Sequence, residues 1–161
     1  MKYRCLSYEE LTALQKEFFH FLASNHVTGE DWVDLQKNAP ERAFSLIELF
    51  SDLVFDKILT NTQYLEQRQE KSLRIFKCNT DTIELVALEI AAQSPLSLDQ
   101  PTALAEAMGN LQNTQGISVY HSSKKYDNTR EQDLFKMMTY EQCYKTDNKL
   151  FDLLLQATAS E

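Results

Sequence analysis

At 161 residues, 43% of them hydrophobic and 25% charged, the chain has the size and composition of a single folded domain, and both figures argue against disorder. A formal net charge of −8 weighs against nucleic acid as a ligand, since that affinity comes from Lys and Arg displacing counterions; the basic pair Lys124-Lys125 is too small to reverse it. No apolar run approaches the roughly 18 residues that cross a bilayer, and Cys5, Cys78 and Cys143 are too far apart for a zinc site and odd in number for a disulfide framework, so they read as buried free thiols.

In chain order, residues 1–6 form a short lead-in, either an edge strand or an extended arm. Lys2 and Arg4 are followed by Glu9 and Glu10 with no apolar core between them, which is not a secretory signal, and a cytoplasmic protein is expected. Ser7-Tyr8-Glu9-Glu10 has the S-x-x-E form of a capping box, so a helix is predicted from Tyr8, carrying Leu11, Leu14, Phe18, Phe21 and Leu22 and fading near Asn25. Thr28 offers a second N-cap for a short helix with Trp32, Val33 and Leu35 that stops before Asn38.

Pro40 suits the first turn of the next helix, which runs to Leu59 or Thr60. Its apolar residues, among them Phe44, Leu46, Ile47, Leu49, Phe50, Leu53 and Val54, spread over roughly 200° of the wheel. Such an arc predicts a central helix covered on most sides. The remaining strip holds Glu41, Ser45, Glu48, Asp52 and Asp56, which places four carboxylates on one edge.

The stretch 63–72 is polar except for Tyr64 and Leu65 and is open between a helical turn and a loop. Leu73–Cys78 and Thr82–Ile90 read as two strands joined by Asn79-Thr80-Asp81. Ala103–Leu111 has helical spacing, Ile117–His121 alternates as a third strand, and Ser122–Thr129 reads as a polar loop. Two helices are predicted to close the chain, Arg130–Tyr140 and a second from Asp147 to about Ala157 with Thr146 as its cap. The fold class is α+β: N-terminal helices around a buried central helix, a small, mostly antiparallel three-stranded sheet, and C-terminal helices, in one domain over 1–161.

Candidate chemistry is sparse. Glu17-x-x-His20 has the spacing of half a di-iron motif, but the other half is missing and the wheel points His20 at water. Three glycines leave no room for a nucleophile elbow or a phosphate-cradling loop, so no cofactor and no metal are expected. His121 at a strand end is the best placed residue for acid–base work. The acidic strip Glu41, Glu48, Asp52 and Asp56 admits three readings: a solvated edge, a surface for a basic partner, or, at Asp52, a carboxylate paired within the fold. Tyr120, Tyr126, Tyr140 and Tyr144 gather in sequence around Lys124 and Lys125 and suggest a docking surface.

The opening Met1-Lys2-Tyr3-Arg4 with Leu6, the central Phe50-Ser51-Asp52-Leu53-Val54, and Tyr64-Leu65-Glu66 before Phe76 resemble a family of small Bacteroidota proteins known as a domain of unknown function. The likeness runs from Met1 to about Ile90 and, more loosely, through Lys124-Lys125-Tyr126. It implies a bacterial cytoplasmic origin and carries no catalytic residue to this chain. The expected role is a non-enzymatic interaction protein or accessory subunit that docks on another protein through Glu41, Glu48, Asp52 and Asp56 or through Tyr120, Lys124, Lys125 and Tyr126. The alternatives are a small enzyme with a dispersed acid–base site and a homo-oligomeric structural protein.

Overall fold

The Ser7 hydroxyl accepts the backbone N–H of Glu10, and the Glu10 carboxylate accepts that of Ser7, so the predicted capping box starts α1 (Tyr8–Ala13). The structure, a computed structural model, describes residues 2–99, 109 and 116–159. Its contacts divide into two units, Met1–Leu59 and Thr60–Glu161.

In the first unit the single helix expected from Tyr8 to Asn25 is two, α1 and α2 (Gln15–Ser24), parted at Leu14 with φ −103° and ψ 22°. The Thr12 hydroxyl bonds back to the Tyr8 carbonyl at 2.8 Å, a local competitor that bends helices. α2 ends in a Schellman turn: Val27 N–H reaches Leu22 O, and His26 N–H reaches Ala23 O. His26 holds the left-handed conformation there (φ 61°), a place usually given to glycine. Thr28 and Asp31 form the second capping box and open α3 (Gly29–Asn38), and α4 (Pro40–Thr60) follows with the predicted bounds.

Aromatic rings make this unit's core. Phe18 meets Trp32 edge-on at 5.1 Å and Phe50 at 5.1 Å, and Phe21 lies 5.4 Å from Phe50. The expectation that α4 is covered on most sides is corrected. Ala43, Phe50, Ser51 and Leu59 are buried, but Phe44, Leu49 and Leu53 are 53%, 56% and 55% exposed. A helix wheel shows how many apolar side chains a helix carries, not how many neighbours reach them. Here the core cluster gathers Leu6 and residues of α2 and α3 on one side of α4.

The second unit holds an antiparallel sheet of β1 (Tyr64–Arg68), β2 (Ser72–Cys78), β3 (Thr82–Ile90), β4 (Ile117–Lys125) and β5 (Tyr144–Thr146), in the order β4-β3-β2-β1-β5. The α+β class holds, but five strands replace the predicted three. β1 takes part of the polar stretch that was open between turn and loop; its ladder to β2 pairs Leu65 with Phe76, and only Leu65 is fully buried. β4 runs through Lys125, so its last four residues belong to a strand rather than a loop. They are polar because this edge strand buries only Val119.

α5 (Arg130–Tyr140) has the predicted bounds and is capped by Thr129. α6 (Lys149–Ala159) starts two residues later than expected: Thr146 belongs to β5, and the Asp147 carboxylate takes the Lys149 N–H instead. α6 lays Phe151 and Leu154 on Leu73, Ile75, Val86, Leu88 and Val119, which alternate onto one sheet face. Leu134 of α5 is likewise fully buried. The helix expected over Ala103–Leu111 lies outside the described residues except for Gly109.

Candidate functional site

The acidic strip of α4 holds the chain's own N-terminal arm. Asp52 accepts the Lys2 N–H at 3.0 Å on each oxygen and the Tyr3 N–H at 3.4 Å. Asp56 accepts the Tyr3 hydroxyl at 2.6 Å and pairs with the Lys2 ammonium at 3.0 Å. The Tyr3 hydroxyl, with a smaller contribution from Lys2, holds the Asp56 carboxyl below its ordinary value.

Further along the arm, the Arg4 guanidinium lies 4.8 Å from the Phe55 ring centre and bonds Glu10 at 2.8 and 3.1 Å. Leu6 N–H then donates to the buried Ser51 hydroxyl at 3.0 Å, which in turn donates to Ile47 O. Burial, and after it the charges of Glu48 and Asp52, raise the Cys5 thiol. The strip is therefore divided. Asp52 and Asp56 bind the arm, Glu48 is half-buried near Cys5, and Glu41 is exposed.

The tyrosine and lysine residues singled out in the last third lie in the second unit: Tyr120, Lys124 and Lys125 on β4, Tyr126 just past it, Tyr140 at the end of α5 and Tyr144 on β5. Tyr120 donates to Glu89 at 3.1 Å, and burial, then Glu89, raises its hydroxyl. Lys124 pairs with Asp127 at 3.3 Å in full view of solvent, and exposed Lys125 stands opposite Thr82 at the strand's end. Tyr126 turns inward: its hydroxyl donates to Asn79 O at 2.7 Å, and burial pushes it up to about 12. Tyr140 and Tyr144 are largely exposed. Lys124 and Tyr126 border one cleft, whereas Tyr120, Lys125, Tyr140 and Tyr144 are not part of its lining.

His121 Nε2 stands 3.1 Å from the Glu84 carboxylate, and the Asn79 amide holds the same group at 2.9 Å. Asn79, and secondarily His121, lowers Glu84. Glu17 and His20 are exposed on α2, and no metal-binding group of three forms among the described residues. Burial pushes Cys78 up to about 12 and Cys143 up to about 11, which keeps both as thiols rather than nucleophilic thiolates.

Sequence reasoning missed Arg130. Its guanidinium donates to Asn79 O at 3.1 Å, to Cys78 O at 3.2 Å and to Thr62 O, tying α5 to the β2–β3 turn and the entry to β1. It borders a concavity of 480 Å³ shared with Gln63, Lys77 and Asn79. The available signal was a cation in the first turn of a helix, where the dipole disfavours it. A narrower cleft of 320 Å³ lies between α5 and the sheet and reaches Arg74, Lys124, Tyr126 and Lys136.

Among the described residues no helix is long and apolar enough to cross a membrane. No curated protein and no solved structure matches the chain. A family of unknown function, DUF6495, matches residues 1–159, nearly the whole sequence including both the N-terminal arm and the sheet, and the chain belongs to that family.

Proposed function

We propose that this protein is a non-catalytic interaction module, acting in the cytoplasm, that docks on another protein through α4. One observation carries the reading: Leu49 and Leu53 are more than half exposed on a helix whose other face is packed. With half-buried Leu46 they follow one another at three- and four-residue steps, and exposed Arg42 and Lys57 continue the same row at its two ends. An apolar row closed by cations suits an amphipathic helix of a partner whose own apolar stripe is flanked by carboxylates.

In the acidic strip, Glu41 and Glu48 are left beside this row once Asp52 and Asp56 are taken by the arm, and they select against an acidic centre in the partner. Tyr120, Lys124, Lys125 and Tyr126 form a separate candidate surface, weaker because Tyr126 is committed to Asn79. A catalytic reading has the His121–Glu84 pair in its favour. Docking is preferred because Glu84 already serves Asn79 and because the described cysteines do not supply a thiolate.

The test replaces Leu49 and Leu53 together by Glu. Both are exposed, so the variant should unfold within about 0.5 kcal/mol of the parent. The parent is expected to co-purify a stoichiometric partner from native lysate, and the variant to lose it. A parent that remains a lone monomer, or a variant that keeps the same partner, would overturn the proposal. A homodimer dissolved by the same substitutions would replace it with self-association.

A further inference from the structure

The 320 Å³ cleft of the second unit has an apolar floor and a cationic wall. Phe76 and Ile83 come from the sheet, Met137 from α5, and buried Cys143 also lines it. Arg74, Lys124 and Lys136 stand around them.

Three acids also line the cleft, and two are already committed. Asp133 accepts the N–H of Asp127 at 2.7 Å and the amide of Asn128 at 3.0 Å, which shapes the turn before α5. Asp127 pairs with Lys124. Among the lining acids Glu141 is left to face Lys136 and Arg74, and Arg74 also has Glu89, outside the lining, as a partner. Arg74 is only partly engaged: its Nη2 pairs with Glu89 at 3.5 Å and its guanidinium acts on the Tyr120 hydroxyl, while its Nε–H is buried with no hydrogen-bond partner. A guanidinium has five donors in a planar fork that matches a carboxylate, and a buried donor without a partner costs stability until something accepts from it.

We infer that this cleft binds a small organic anion, a carboxylate on an apolar body about the size of one aromatic ring. Arg74 and Lys136 take the carboxylate; Phe76, Ile83 and Met137 take the body. A bare inorganic ion would leave the apolar floor wet. The volume sits at the lower end of the roughly 300–1,000 Å³ typical of ligand sites, which limits the body to a small one. The site lies wholly within the second unit and stands or falls independently of docking on α4.

Calorimetric titration of the full chain with benzoate, benzamide and inorganic phosphate tests it. Benzamide keeps the shape without the charge, and phosphate keeps charge without the ring. Benzoate is expected to bind one-to-one, about tenfold or more tighter than either control. Arg74→Met should weaken benzoate about tenfold. Lys136→Gln should weaken it several-fold; Lys136 is exposed on α5, so this variant folds even if a change in the central strand does not. Absence of saturable benzoate binding up to about 10 mM, equal binding of benzamide or phosphate, or an unchanged affinity in Lys136→Gln would overturn the assignment.

Discussion

Arg130 occupies the first turn of α5, where partial positive charge on the free N–H groups repels a cation, yet its side chain is only 13% exposed. Three backbone carbonyls from two connections offset that repulsion. Arg130→Ala removes those three bonds, leaving Asn79 O with the Tyr126 hydroxyl as donor, and is expected to lower the unfolding free energy by about 2–4 kcal/mol. Arg130→Lys should recover only part of the loss, since an ammonium is a point donor and cannot span carbonyls that a planar fork reaches. Urea unfolding measures both, and a change below about 0.5 kcal/mol in the Ala variant would remove the clamp from the account.

Glu10 gives the other prediction at this scale. The Arg4 guanidinium, then the Ser7 N–H, bring its carboxyl down from the ordinary 4.5 to about 2. Because the folded value lies below the unfolded one, the stabilisation is complete above the unfolded value and is lost as pH falls through the folded one. The midpoint of unfolding should therefore drop between about pH 4.5 and 2, and Glu10→Gln should flatten that limb. The carboxylate is more than a third exposed, so screening keeps the effect modest. Circular dichroism across that range checks it, and identical acid limbs in parent and variant would contradict the coupling.

Among the elements, α4 and α6 are written in similar apolar code and have different fates. Phe151 and Leu154 of α6 are at most 1% exposed against the sheet, whereas Leu49 and Leu53 of α4 are open. Phe151→Ala should cost about 3–5 kcal/mol, since it removes the ring on which Tyr64 packs and leaves a cavity above Ile75 and Val86. A loss under about 1 kcal/mol in denaturant would mean that α6 is not the lid of that core. Helix starts were legible because their caps are local: Ser7, Thr28 and Pro40 each act within one turn. The break at Leu14 was not, since nothing there forbids helix and only a competing Thr12 bond tips the balance. β1 and β5 were missed because their order comes from neighbours: Leu65 pairs with Phe76 on one side and Lys145 on the other.

For the whole molecule, the net charge of −8 is spread so that its most regular acidic row serves internal bonding: Asp52 and Asp56 hold the arm. Four carboxylates at helical spacing announce an edge; which of them meets an N–H 49 or 50 residues away depends on where the chain returns. Sequence alone determined the α+β class, three N-terminal helical segments without the break at Leu14 in the first, the β2–β3 hairpin and the bounds of α5, because caps, turn residues and side-chain period work over a few neighbours. Only the tertiary structure decided that the sheet has five strands, that α4 is packed on one side, and that Arg74 borders a cleft while Arg130 closes a clamp. Those outcomes rest on strand pairing and on contacts between residues far apart in sequence, which periodicity along one element does not encode.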